Sequence, residues 1–108
     1  MTVVTTNMVK PIIGKSQLMQ DRIQKTAKIF EKHGGKVRIV QFLMGAYAGN
    51  MALQSASADF TASMAVADGV INDPSLEELM QEREAEPAAE IIGPFLFRTI
   101  YGLSLIHI

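Results

Sequence analysis

The sequence predicts an α+β domain, four strands and two helical regions in the order β-α-β-β-α-β, and three observations predict it. The chain opens on β-branched residues, Val3, Val4, Thr5, Thr6 and Val9, which suit a pleated surface. Two stretches, one closed by His33-Gly34-Gly35 and one broken at Asn72-Asp73-Pro74, carry apolar residues at helical spacing. The remaining apolar runs are short and bounded by glycine and proline, as strands are.

The first strand runs over Thr2 to Lys10 and ends at Pro11 and Gly14. Met19, Ile23, Ala27 and Phe30 then make one face of an amphipathic helix over Lys15 to His33, with Asp21, Lys25, Lys28 and Lys32 on the others. The glycine pair stops that helix, and Lys28, Lys32 and His33 suit the negative end of its dipole. Lys36 to Met44 is the second strand. Both of its alternating sets are apolar, Val37, Ile39 and Leu43 against Val40, Phe42 and Met44, so both faces are expected to be buried. Gly45 to Asn50 supplies a turn into a third strand of small residues, Met51 to Ala58, completing a hairpin.

Asp59 is placed to cap a helix over Phe60 to Ile71, with Phe60, Met64, Ala67 and Ile71 on its inward stripe. Asp73, with Pro74 at the first helical position, restarts the helix, which turns Leu76, Leu79 and Met80 inward and ends by Pro87. Ile91 to Tyr101 closes the domain as a fourth strand, with Gly93-Pro94 marking a bend or an edge. This order is that of a ferredoxin-like fold, in which both helical regions pack on one face of an antiparallel sheet. The other face would then be bare and apolar, and the economical cover is a second copy of the chain, so a homodimer through the sheet face is expected.

Composition narrows the function. At 108 residues the chain is one domain, read as residues 1–102; Leu103-Ser104-Leu105-Ile106-His107-Ile108 fits no element and reads as a non-native or disordered tail. Ten basic and eleven acidic residues, without a basic block, disfavour nucleic-acid binding. There is no cysteine, so disulfides, thiolate metal sites and a thiol nucleophile are excluded. No apolar run reaches a membrane span and the start lacks a basic signal region, which predicts a cytoplasmic protein with no membrane partner.

Val9-Lys10-Pro11 leading to the first helix, Lys32 to Arg38 entering the second strand, the Gly45 to Asn50 hairpin, Asn72-Asp73-Pro74 and Ile92-Gly93-Pro94 together resemble the dimeric α/β-barrel superfamily. That group includes antibiotic-biosynthesis monooxygenase-like domains and many small bacterial proteins, and the likeness spans nearly the whole chain. These motifs are turns and core, so they point to a scaffold and leave the reaction open. Cofactorless oxygenases of the group bind planar aromatic substrates between sheet and helices. The resemblance therefore implies a pocket for a small, largely apolar or aromatic molecule, with Asn7, Arg98 and Tyr101 as polarising catalytic groups. Gln41, Gln54 and Ser55 are the strand residues that would help bind substrate. A ligand-binding or structural dimer without catalysis is the other reading. The haem-degrading branch uses a first-strand asparagine, which Asn7 matches, with a tryptophan and a histidine; this chain has no tryptophan and no histidine in the second helical region. No resident cofactor or metal is expected, since His33 stands alone and is read as serving the helix end or solvent. Gly45 to Gly49 lacks a following Gly-Lys-Ser/Thr and is a turn rather than a phosphate loop.

Overall fold

The computed structural model describes residues 2–100. Seven elements follow one another: β1 (Val3–Pro11), α1 (Ser16–Lys32), β2 (Lys36–Gln41), β3 (Met51–Ser57), α2 (Phe60–Ile71), α3 (Pro74–Ala85) and β4 (Ala89–Arg98). The sheet order is β2-β3-β1-β4 and every neighbouring pair is antiparallel, the ferredoxin-like topology that the element order predicts.

The helix ends follow from local chemistry. Gly34, at φ +92°, lets the chain reverse after α1, while the Gly35 N–H donates to the Phe30 carbonyl and the Gly34 N–H to that of Glu31. Asp59 caps α2 by accepting from the Ala62 N–H at 2.7 Å, and Asp73 caps α3 by accepting from the Ser75 N–H at 2.9 Å, with Pro74 opening the helix.

The core lies between α1 and the sheet, where Ile23 and Ala27 meet Met51 and Leu53, flanked by Val9, Met19, Phe30 and Val37. A second cluster joins Ile29 of α1 to Val66 and Val70 of α2, with Leu76 and Leu79 of α3 packed on it. Register assigns Asn7, Val9, Leu53 and Ser55 to the helix-covered face and Thr6, Met8, Ala52, Gln54, Phe95 and Phe97 to the other.

Three expectations are corrected. The second strand stops at Gln41, and Leu43 and Met44 are exposed in the following loop. It is also an edge strand with no fully buried residue; the strand buried on both faces is β3, whose small side chains let its neighbours close in. A Cβ on Gly35 would stand 2.8 Å from the Ser55 hydroxyl, which measures how closely the chain entering β2 passes β3. On α2, Ser63, Val66 and Val70 face inward, whereas Phe60, Met64 and Ile71 are exposed. The helix approaches the sheet through its smaller residues, as the 3.4 Å contact between the Ser63 and Thr5 hydroxyls shows. β4 ends at Arg98, and Tyr101 and the expected tail at 103–108 lie outside the described residues.

Candidate functional site

A cavity of about 290 Å³ opens between the sheet and the helices. Its sheet wall is made by Asn7, Met8 and Val9 of β1, Leu53 of β3, and Ala89, Ile91 and Gly93 of β4. Met19, Arg22, Ile23, Thr26 and Phe30 of α1 form a second wall, and Leu76, Leu79, Met80 and Arg83 of α3 close the third. The β1–β4 register slips between Met8 and Val9: Met8 pairs with Gly93 and Val9 with Ile91, leaving Ile92 as an extra residue. Such a bulge bends the strand and re-aims side chains, and here it borders the cavity.

The lining is apolar except for Asn7, Arg22, Thr26 and Arg83. Arg22 is buried and is committed to α3. It donates to the Glu86 carbonyl at 2.6 Å and the Glu82 carbonyl at 3.3 Å, so a cation on α1 meets the negative C-terminal end of α3. Its Nε is buried without a hydrogen-bond partner, the Glu82 carboxylate standing 3.9 Å away. Lys15 adds an exposed pair with Glu86 at 3.1 Å. Thr26 returns its hydroxyl to the Arg22 carbonyl, leaving its oxygen free to accept.

At its other end α3 is held by Asp73. The His33 Nε2 lies 2.7 Å and the Lys32 Nζ 3.1 Å from one oxygen of this buried carboxylate, while the other oxygen caps the helix. Hydrogen bonding by His33 above all, then by the Ser75 N–H and Lys32, holds the Asp73 carboxyl well below the usual carboxylate range, against the desolvation that would raise it. His33 thus ties α1 to the α2–α3 junction, and the expectation that it serves only the helix end or solvent is corrected.

Of the site residues expected from sequence, Asn7 alone lines this cavity among the described residues. Arg98 shares its face of the sheet but pairs with Val3, four residues and about 13 Å along β1. Gln41 is exposed at the end of edge strand β2. Gln54 is on the opposite face, accepting from Arg38 Nε at 2.7 Å and donating to Thr6 at 3.4 Å. Ser55 is buried beside Gly35, away from the cavity. Arg22, Thr26 and Arg83 were not anticipated. Arg22 and Thr26 sit within the buried stripe of α1, between Met19, Ile23 and Phe30, and a polar residue at such a position was the available signal.

No protein-family model matches the sequence, and no curated protein is detectably similar to it. Solved structures do match. An uncharacterised NIPSNAP domain protein from Burkholderia xenovorans superposes with a TM-score of 0.75 at 13% identity, covering 94% of this chain and 99% of that one. SnoaB, a cofactor-independent oxygenase from Streptomyces nogalater, gives 0.64 at 16% identity over 94% of this chain and 96% of its own. This chain shares their ferredoxin-like fold. A protein from Agrobacterium tumefaciens gives 0.71 at 9% identity, over 89% and 91% of the two chains. At these identities the likeness is one of architecture, and the reaction has to be argued from the cavity.

Proposed function

We propose that this chain binds a small, largely apolar or aromatic molecule in the cavity between sheet and helices, as a homodimer, and acts on it in the manner of a cofactor-independent monooxygenase. The observation that carries the reading is the cavity itself. It is apolar and of about 290 Å³, just under the roughly 300–1,000 Å³ of small-molecule sites, with a few polar groups to orient a ligand. The architecture shared with SnoaB, itself a cofactor-independent oxygenase, supports the choice of reaction.

In that reaction one atom of dioxygen enters the substrate and the other leaves as water; the substrate, reacting as its electron-rich enolate or phenolate, is itself the reductant, one CH2 giving up its two hydrogens and four electrons to become C=O. That Asn7 lines the cavity supports its reading as the group that polarises such an oxygen, through its side-chain amide N–H. The described lining holds no histidine, aspartate or glutamate, so a substrate acidic enough to ionise readily is favoured. The same lack of a base is what favours the second reading, a binding domain without turnover.

Native mass spectrometry of the protein after incubation with a mixed set of small aromatic compounds tests the binding step. A retained one-to-one adduct that Leu53→Trp, which fills the cavity from the sheet side, abolishes is the expected result. Adducts that persist in that variant would place the ligand elsewhere. Oxygen consumption with the retained compound then separates turnover from binding.

A further inference from the structure

The cavity reading says that the ligand is largely apolar, and the charges around the cavity say more. Among the described residues two arginines line it and no acidic side chain does. A cation beside a low-dielectric cavity favours an anion over a neutral molecule, because the apolar walls screen the attraction poorly. The two arginines are not equivalent. Arg22 already serves the last carbonyls of α3, with the Glu82 carboxylate beside its Nε. Arg83 is exposed in the last turn of α3 and has no ion-pair or hydrogen-bond partner among the described residues.

Two of the neighbouring carboxylates are engaged elsewhere. Glu82 is turned to Arg22 and Glu86 to Lys15, so neither neutralises Arg83. Resting on the cavity reading above, we infer that Arg83 is the anion-recognising residue of this site, and that the ligand is a small aromatic or apolar acid. Its body packs among residues such as Met19, Phe30, Leu53 and Leu79, and its carboxylate meets the Arg83 guanidinium at the cavity mouth. A planar fork of donors suits a carboxylate, which can accept two parallel N–H bonds.

The test compares a matched pair, 2-naphthoate and 2-naphthamide, which share size and apolar body and differ in charge. Isothermal titration on the wild-type chain and on Arg83→Gln measures both. The acid is expected to bind the wild type about tenfold or more tightly than the amide, the range of one charge-assisted hydrogen-bonded pair, and R83Q to erase that preference, the acid losing more affinity than the amide. R83Q alters an exposed side chain, and an unchanged thermal midpoint establishes that it is folded. Equal binding of acid and amide to the wild type would overturn the role of Arg83 while leaving the apolar cavity as a binding site. A preference that survives R83Q but disappears in Arg22→Lys would also overturn it, moving the anion to the α1 wall. If neither compound binds, the inference fails together with the cavity reading beneath it.

Discussion

The imidazole of His33 reaches Asp73 only because position 69 has no side chain. A Cβ there would stand 2.5 Å from the His33 Nδ1, 2.7 Å from its Cγ and 3.0 Å from its Cβ, so the clash falls on the fixed base of the ring. Gly69 is not among the glycines with positive φ, and space rather than backbone freedom is the reason for it. Alanine would gain about 1 kcal/mol of helix propensity in α2, whereas overpacking costs about 1–3 kcal/mol. Gly69→Ala is therefore expected to destabilise the wild type by up to about 2 kcal/mol, yet to be neutral or stabilising by about 1 kcal/mol in a His33→Ala background. Chemical denaturation of the four proteins in this cycle checks it, and an equal effect in both backgrounds would refute the contact. None of this was visible locally, because the partners are 36 and 40 residues apart in the chain.

Among the elements, α3 is the one whose attachment matters most to the site. It closes one wall of the cavity, yet none of its own residues is fully buried. Leu76 and Leu79 are its half-buried anchors, and the rest of its hold is polar: Asp73 with His33 and Lys32 at the N-terminus, Arg22 on the terminal carbonyls at the other end. Because the Asp73 carboxyl is lowered in the folded chain, its contribution is fully present above the ordinary aspartate value of about 3.9 and is lost progressively as the pH falls below it. Asp73→Asn keeps an oxygen to cap the helix but removes the charge. The thermal midpoint of the wild type is expected to fall more steeply than that of D73N between about pH 5 and pH 2, with the two curves converging at the acid end. Parallel curves would show that the charge on Asp73 adds nothing to stability. The caps and the proline that delimit α3 were legible in Asn72-Asp73-Pro74, but the residues it is pinned to were not.

For the molecule as a whole, the sheet face away from the helices is where the proposed dimer is tested. Val4, Met8 and Ala52 at its centre are buried, and among the described residues the large exposed apolar side chains on that face are the β4 pair Phe95 and Phe97, 46% and 39% exposed. Two exposed aromatic side chains on one face of β4 fit a two-fold contact, in which each occurs twice. The wild type is expected to sediment as a dimer in analytical ultracentrifugation, and Phe97→Asp to weaken association at least about a hundredfold, two rings at about 1.5–3 kcal/mol each being lost per dimer. A wild-type chain that sediments as a monomer would remove the dimer from the proposed function.

By itself the sequence determined the order of the elements, the caps at Asp59 and Asp73, the glycine stop after α1 and the ferredoxin-like fold. All of these rest on residues close together in the chain, where period, capping chemistry and φ preference act directly. It also placed Asn7 on β1, where the cavity is found. Only the tertiary structure decided which face of α2 turns inward, that β3 rather than β2 lies inside the sheet, and that Arg22 and Arg83 border the cavity while Arg98 does not. Alternation identifies two faces of a strand without saying which is covered, and helical spacing identifies a stripe without saying how closely it can approach its neighbour. Those choices are made by packing between elements, through the small residues Gly35, Ser55, Ser63 and Gly69, whose role is to leave room.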